Sequence, residues 1–271
     1  MEYFDGKKIR DQIIDELKSE VCLMDVKPKL AVIWVGDDYA TGKYIEVKKK
    51  AAEKIGVDFD LIKYPKEVAQ TEIEEKIEEL NRDPSVDGIM IQIPLPEQIN
   101  QSELISQIGP EKDVDALRFC LNLKSDFYPP VTVAILDALK RAEVDMEKSK
   151  ITVVGKGFLV GAPLISILEK LNYDLSVGDK DTASLVDITQ KADVVISATG
   201  KGNIIQPNMV KEGVVLVDAG TSEVGGRLTG DIDPASYSKA KYYTPTPGGI
   251  GPVTVVMLLY NVVEAAKRNR S

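Results

Sequence analysis

The chain contains no histidine and only two cysteines, Cys22 and Cys120. It therefore lacks the side chain that most often exchanges protons near neutral pH and most often binds metals. No protein metal site is expected, and proton transfer would use Lys, Tyr, Asp, Glu or water. Two cysteines do not make a disulfide framework. Free thiols are typical of a reducing compartment, which predicts a cytoplasmic protein.

Long apolar runs and an excess of basic residues are also missing. No uninterrupted apolar stretch reaches the roughly 18 residues that a membrane span needs, and residues 1–6 show no basic start of a secretory signal. A net charge of −9 and a pI of about 4.8 disfavour nucleic-acid binding. The chain has 271 residues, of which 44% are apolar and 28% charged, so it is an ordinary globular chain with room for about two domains.

Short apolar runs alternate with helical patterns from end to end. Strands are predicted at 30–35, 58–64, 88–93, 151–154, 175–177, 193–196 and 214–217, and helices at 43–55, 69–81, 133–141, 161–171 and 253–268. Gly56 is the expected stop of the first helix. This succession predicts an α/β fold in which helices cover both faces of a parallel sheet.

The strand at 151–154 runs directly into a glycine-rich loop that opens a helix. In this G-x-G-x-x-x-G loop the first glycine permits a tight turn, the second lets the backbone approach a pyrophosphate, and the third lets helix and strand pack closely. A structural turn without a ligand is the alternative. The candidate dinucleotide residues in this loop are Gly155, Lys156, Gly157, Val160 and Gly161.

The choice between NAD and NADP stays open. Asp179 follows the next strand and could accept from a ribose 2′-OH, which favours NAD. Lys156 and Lys180 could instead hold a 2′-phosphate, and all three could be a solvated turn. Two further glycine clusters follow strands, at the edge where α/β sheets bind ligands. They add the candidates Thr199, Gly200, Gly220 and Thr221.

Several segments together resemble one enzyme family. They are Tyr44-x-x-x-Lys48, the run from Val86 that contains Gln92 and Pro94-Leu95-Pro96, Lys112-Asp113-Val114-Asp115, and Pro247-Gly248-Gly249-Ile250-Gly251-Pro252-Val253-Thr254. Their order and spacing are similar to those of the methylenetetrahydrofolate dehydrogenase/methenyltetrahydrofolate cyclohydrolase family over nearly the whole chain.

The resemblance implies two reactions on tetrahydrofolate. Hydride passes from methylene-tetrahydrofolate to a nicotinamide, and water then opens the methenyl product to formyl-tetrahydrofolate. It also implies a folate-binding lobe at 1–130 that the C-terminal helix at 253–271 completes, and a Rossmann-type lobe at 131–252. The family usually prefers NADP and forms homodimers. A small-molecule folate is the implied partner, with neither membrane nor nucleic acid.

The residue chemistry supports these roles. Tyr44 and Lys48 share a helix face, and a desolvated lysine can exchange protons near neutral pH. Gln92 could accept from that ammonium, while Asp115 could accept two N–H bonds from a pterin-like edge. The segment Pro247-Gly248-Gly249 would let the backbone approach the substrate. Each residue alone has a simpler explanation: a solvated lysine face, a half-buried tyrosine, a satisfied amide, or a helix-capping aspartate.

Four departures from the family pattern stand out. Ala116 replaces a glycine, Tyr128-Pro129-Pro130-Val131-Thr132 replaces the usual Cys/Ala-Thr-Pro-x-Gly, and Lys156-Gly157 and the turn at 179–182 alter the cofactor loops. Two alternatives follow for the usual threonine in the ligand cleft: Thr132 replaces it, or the contact is lost. The alternatives that remain are a member with one activity, another Rossmann dehydrogenase, or a non-catalytic dinucleotide-binding protein.

Overall fold

The computed structural model describes residues 2–270, and for Val224 its backbone alone. The chain forms two compact units. Residues 11–130 and 255–270 make the three-stranded unit, and residues 2–10 and 131–254 make the six-stranded unit. Met1 and Ser271, the outer limits of the predicted lobes, lie outside the described residues.

Every predicted strand and helix is present, with ends shifted by at most four residues. In chain order the elements are β1 (Glu2–Tyr3), α1 (Gly6–Val21), β2 (Lys29–Val35), α2 (Tyr39–Ile55), β3 (Asp58–Tyr64), α3 (Gln70–Arg82), β4 (Gly88–Ile91), α4 (Gln101–Gln107), α5 (Leu117–Cys120), α6 (Pro130–Arg141), β5 (Ile151–Val154), α7 (Gly161–Lys170), β6 (Leu175–Gly178), α8 (Leu185–Thr189), β7 (Val194–Ser197), β8 (Val214–Asp218), β9 (Ser222–Val224), β10 (Arg227–Thr229), β11 (Ala240–Tyr243) and α9 (Ile250–Asn269). Two 3-10 helices, Pro207–Met209 and Pro234–Lys239, precede β8 and β11.

The six-stranded sheet is parallel throughout, in the order β1-β11-β8-β7-β5-β6. Strands β5, β7 and β8 are buried at every position, as expected for parallel strands covered on both faces. The strand order changes direction between β5 and β7. Open α/β sheets bind ligands at the carboxyl ends of the strands beside such a switch point. The fold therefore places the loops after β5 and β7 where a ligand is expected.

The three-stranded sheet is also parallel, with β2 between β3 and β4. In helix α9 the side chain of Asn261 donates to the carbonyl oxygens of Val114, at 2.8 Å, and Tyr128, at 3.3 Å. The C-terminal helix thus returns to the first lobe, as predicted. Among the described helices α9 alone is long and apolar enough to cross a membrane, but more than half of its apolar stretch is buried inside the protein.

Candidate active site

Helix α2 holds Lys48 between two defined ends. Asp38 caps its start by accepting from the backbone N–H of Thr41 at 2.7 Å, and Gly56 ends it in the left-handed conformation, with φ 96°. Tyr44 lies one turn before Lys48 and therefore on the same face. The tyrosine is 56% exposed, so its ring is accessible to a ligand.

The Lys48 ammonium contacts two residues at the end of a neighbouring strand. Its Nζ donates to Gln92 Oε1 at 3.0 Å and lies 3.3 Å from the sulfur of Met90 in β4. Gln92 Nε2 donates to the carbonyl of Ile93 at 2.8 Å, so the amide nitrogen is already used. This orientation leaves the amide oxygen for Lys48.

Burial and charge act in opposite directions on Lys48 and Asp115. Desolvation lowers the pKa of Lys48, and the charge of Asp115 partly offsets this. Desolvation also raises the pKa of Asp115, and the charge of Lys48 opposes that rise. A lysine in this setting loses its proton more readily than one in water, which suits it to proton transfer.

Asp113, two residues before Asp115, stabilises the start of the next helix. Its carboxylate accepts from the backbone N–H groups of Leu117 at 3.0 Å and Arg118 at 2.9 Å, and thereby caps α5. Burial raises its pKa to about 7. Lys112 is also buried, and its ammonium donates to the carbonyls at the end of α3. Asp115 is left as the carboxylate that acts on Lys48.

Two of the departures from the family pattern have clear structural settings. Ala116 is buried with φ 53°, the left-handed region that favours glycine. Thr132 is buried, and within residues 2–270 no partner reaches its hydroxyl. Tyr128 packs edge-on against Phe119, with ring centroids 5.5 Å apart.

The glycine loop after β5 has the geometry of a phosphate-binding turn. Gly155 has φ 103°, and a Cβ there would lie 2.5 Å from the carbonyl oxygen of Ala198. A Cβ on Gly161 would lie 2.1 Å from the carbonyl oxygen of Gly155, whereas a Cβ on Gly157 would meet no atom nearer than Ala198 O, at 3.8 Å. Helix α7 follows Val160, whose side chain makes no capping hydrogen bond. An anion would have to accept from backbone N–H groups of this loop other than those of Val160 and Ala162, which donate to the carbonyl of Gly157.

Lys156 and Asp179 form an ion pair beside this loop. Lys156 Nζ lies 2.7 Å from Asp179 Oδ2, and the hydrogen bond between them lowers the pKa of Asp179 and raises that of Lys156. The hydroxyl of Thr182 donates to Asp179 Oδ1 at 3.1 Å. Lys180 is exposed. Asp179, which favours NAD by sequence, and Lys156, which favours NADP, thus bind each other.

The loops after β7 and β8 converge on a carboxylate that the sequence reasoning missed. Asp231 Oδ2 accepts from the backbone N–H of Thr199 at 2.6 Å, from its hydroxyl at 2.9 Å, and from the hydroxyl of Ser197 at 2.8 Å. Asp218 accepts from the N–H of Asp231 at 3.1 Å, and burial raises its pKa to about 7. Asp231 lies 32 residues from Thr199 along the chain, so no local sequence pattern links the two.

The remaining candidates lie in loops of the six-stranded unit. Gly200 has φ 67° and is exposed, as is Thr221, whereas Gly220 is buried. In the segment Pro247-Gly248-Gly249, Gly248 has φ 107° and its carbonyl accepts from the N–H of Gly6 at 2.9 Å. Tyr44, Lys48, Gln92 and Asp115 belong to the three-stranded unit. Within residues 2–270 no group of three His, Cys, Asp or Glu side chains is placed to hold a metal.

A doubly wound parallel sheet with a glycine turn at its switch point defines a dinucleotide-binding type of α/β protein. Family models narrow this class. The tetrahydrofolate dehydrogenase/cyclohydrolase catalytic domain matches residues 4–115, and the NAD(P)-binding domain of the same family matches residues 129–270. The chain belongs to the tetrahydrofolate dehydrogenase/cyclohydrolase family.

Relatives and solved structures agree with this assignment. The chain is 39% identical to the bifunctional protein FolD of Hydrogenobaculum sp., over 99% of each chain. It is similar to the crystal structure of the bifunctional FolD of Campylobacter jejuni, with TM-score 0.93, 35% identity and 98% of each chain covered. A Trypanosoma brucei FolD, complexed with NADP cofactor and inhibitor, has TM-score 0.90 and 30% identity, with 98% of this chain and 97% of that chain covered.

Proposed function

We propose that this protein oxidises 5,10-methylene-tetrahydrofolate with NADP⁺ and hydrolyses the 5,10-methenyl product to 10-formyl-tetrahydrofolate. The single observation that carries the proposal is the hydrogen bond from Lys48 Nζ to Gln92 Oε1, at 3.0 Å. The negative charge of Asp115 acts on the same ammonium group. It provides an amine of lowered pKa beside a pterin-compatible carboxylate. The membership of both halves of the chain in one family joins this amine to a dinucleotide-binding domain.

The six-stranded unit fits a dinucleotide. Gly157 has no side chain to keep a ligand away from the turn after β5, so this turn would hold the pyrophosphate. When bound, the nicotinamide accepts the hydride that leaves the methylene carbon. Lys156 would hold a 2′-phosphate, which favours NADP, but Asp179 competes for that ammonium and would also accept from the ribose of NAD.

Lys48, Gln92, Asp115 and Tyr44 are proposed to act on the folate. Asp115 would accept from the aminopyrimidine edge, and Tyr44 would stack on the flat ring. In the hydrolytic step water adds to the methenyl carbon and the bond from that carbon to N5 breaks. One proton of the water ends on N5 and the other is released. Neutral Lys48 would orient the water and receive the proton, while Gln92 Oε1 stabilises the resulting ammonium. Pro247, Gly248 and Gly249 are proposed as further substrate contacts.

The decisive experiment measures the two steps separately, with NADP and with NAD. We expect Lys48→Met to lower cyclohydrolase kcat by at least about 100-fold, the scale of acid–base catalysis. Its Kd for NADP should stay within about twofold of wild type. Lys48→Arg keeps the positive charge, but arginine does not deprotonate. We therefore expect this variant to lose cyclohydrolase activity as well.

Lys50→Met, on an exposed part of α2, is the matched control and should keep both activities. Full cyclohydrolase activity in Lys48→Met would refute the role of Lys48. Absence of both activities in wild type, with NADP still bound, would favour a non-catalytic binding protein. A homodimer in the cytoplasm is the assembly that we propose, and light scattering on the purified protein tests its stoichiometry.

A further inference from the structure

A buried carboxylate lies behind the loops that end β7 and β8. Asp231 is 0% exposed, and its Oδ2 accepts three hydrogen bonds, from Ser197 Oγ and from the backbone and hydroxyl of Thr199. Within the described part of the chain no partner reaches its other oxygen, Oδ1. A half-satisfied buried carboxylate is unfavourable for folding alone, so its presence calls for another reason.

The packing around Asp231 leaves no space for a side chain on the adjoining loops. A Cβ on Gly220 would lie 2.1 Å from the carboxylate carbon of Asp231. In the reverse direction, a Cβ on Gly230 would lie 2.0 Å from Asp218 Oδ2. Each aspartate therefore packs against a glycine of the other's loop.

The same contacts extend to the glycine turn after β5. Asp231 holds Thr199, and the preceding residue, Ala198, presents the carbonyl oxygen against which Gly155 packs. The N–H of Ala198 donates to Val154 at 2.8 Å, which ties this loop to β5. A shift of Thr199 would therefore displace the edge of the pyrophosphate turn.

We propose that Asp231 is a positioning residue for the dinucleotide: through Ser197 and Thr199 it fixes the loop after β7 against Gly155 and Gly220. This inference rests on the proposed function. It assigns to Asp231 an effect on the dinucleotide and none on the folate, because its side-chain partners are Ser197 and Thr199 at the end of β7, beside the glycine turn after β5.

The two reactions provide the test, since hydrolysis of methenyl-tetrahydrofolate consumes no dinucleotide. We expect Asp231→Ala to raise the KM for NADP by about tenfold or more, because the acceptor of three hydrogen bonds is lost. Cyclohydrolase kcat/KM should remain within about twofold of wild type. Asp231→Asn should recover most of the affinity, since an amide oxygen can accept the same bonds.

Asp233→Ala is the matched control. Asp233 lies on the same segment and caps the 3-10 helix Pro234–Lys239 by accepting from the N–H of Ala235 at 2.9 Å, so its loss should leave the KM for NADP unchanged. If Asp231→Ala does not fold, Ser197→Ala decides, because it removes one of the three bonds and should raise that KM about threefold.

An unchanged KM for NADP in folded Asp231→Ala, or in Ser197→Ala, would overturn the inference. So would an equal loss of both activities, which would make Asp231 a general structural residue. If the wild-type protein shows no dinucleotide-dependent turnover, the proposed function is rejected instead. The Kd values for NADP of the same variants would still test whether Asp231 positions the dinucleotide.

Discussion

Arg270 neutralises a buried aspartate, and its removal should destabilise the protein strongly. Asp87 is 0% exposed, and its Oδ2 accepts from Arg270 Nη2 at 2.6 Å and from the N–H of Lys29 at 2.8 Å. Within residues 2–270 its Oδ1 has no partner. Burial raises the pKa of Asp87, while the Lys29 N–H and the Arg270 charge oppose that rise. Arg270→Met leaves a buried charge with one backbone donor.

The size of the effect follows from two limits. Removing one partner of a buried ion pair typically costs about 3–5 kcal/mol of the free energy of unfolding. Protonating Asp87 offers an escape, which at pH 7 costs about 1.36 kcal/mol for each of about three pH units, or about 4 kcal/mol. The Arg270 side chain is 23% exposed, which weakens the pair. We expect a loss of about 2–4 kcal/mol.

Urea denaturation at several pH values tests this expectation. The folded pKa of Asp87 rises further in Arg270→Met, so folded protein binds the proton more tightly than unfolded protein. The loss should therefore be largest near pH 8 and shrink as the pH falls toward the ordinary range of aspartate. Asp87→Asn with Arg270→Met should regain about 1 kcal/mol or more at pH 8. A loss below about 0.5 kcal/mol at pH 8 would refute the reasoning.

Two further substitutions test the departures from the family pattern. Ala116→Gly should change the free energy of unfolding by less than about 1 kcal/mol, because relief of the left-handed strain is offset by a lost buried methyl and a more flexible unfolded chain; a loss above about 2 kcal/mol in thermal or urea unfolding contradicts this. Asp179→Ser should release Lys156 for a 2′-phosphate and raise the NADP/NAD ratio of kcat/KM about tenfold. Asp181→Ser is its control, and an unchanged ratio in Asp179→Ser rejects the idea.

The strands and most helices were predictable because their signals are local. Buried runs such as 151–154 and 214–217 consist of apolar residues, and parallel pairing needs no more than that. Helix ends were less predictable. Helix α2 begins at Tyr39 rather than at residue 43, because Asp38 caps it. No element is predicted for residues 6–21, where α1 lies.

The candidate site was predictable where parallel strands bring residues together. Helix α2 follows β2, and β2 pairs with β4, so Lys48 and Gln92 lie close. Which of the two aspartates caps the next helix was not predictable. Asp115 was the expected alternative cap, but the carboxylate of Asp113 makes both capping bonds. The distinction depends on the left-handed turn at Ala116, which no sequence pattern specifies.

Asp231 could not be found from sequence because its partners are distant. The hairpin of β9 and β10 separates it from Asp218, and no hydrophobic period spans that segment. The ion pair of Lys156 with Asp179 is likewise not predictable from sequence, since the pattern indicates a separate ligand group for each side chain. Contacts of this kind are set by tertiary packing, and local propensity carries no trace of them.

The buried side chain of Lys112 connects two segments of the three-stranded unit by hydrogen bonds. Its ammonium donates to the carbonyls of Leu80 at 2.9 Å and Asp83 at 2.6 Å, and its own carbonyl accepts from the N–H of Ile89 at 2.8 Å. The side chain is shielded from solvent, so acylating reagents can reach it only when the structure around it opens. The rate at which Lys112 is acylated would then report the rate of that opening, whereas exposed lysines react without it.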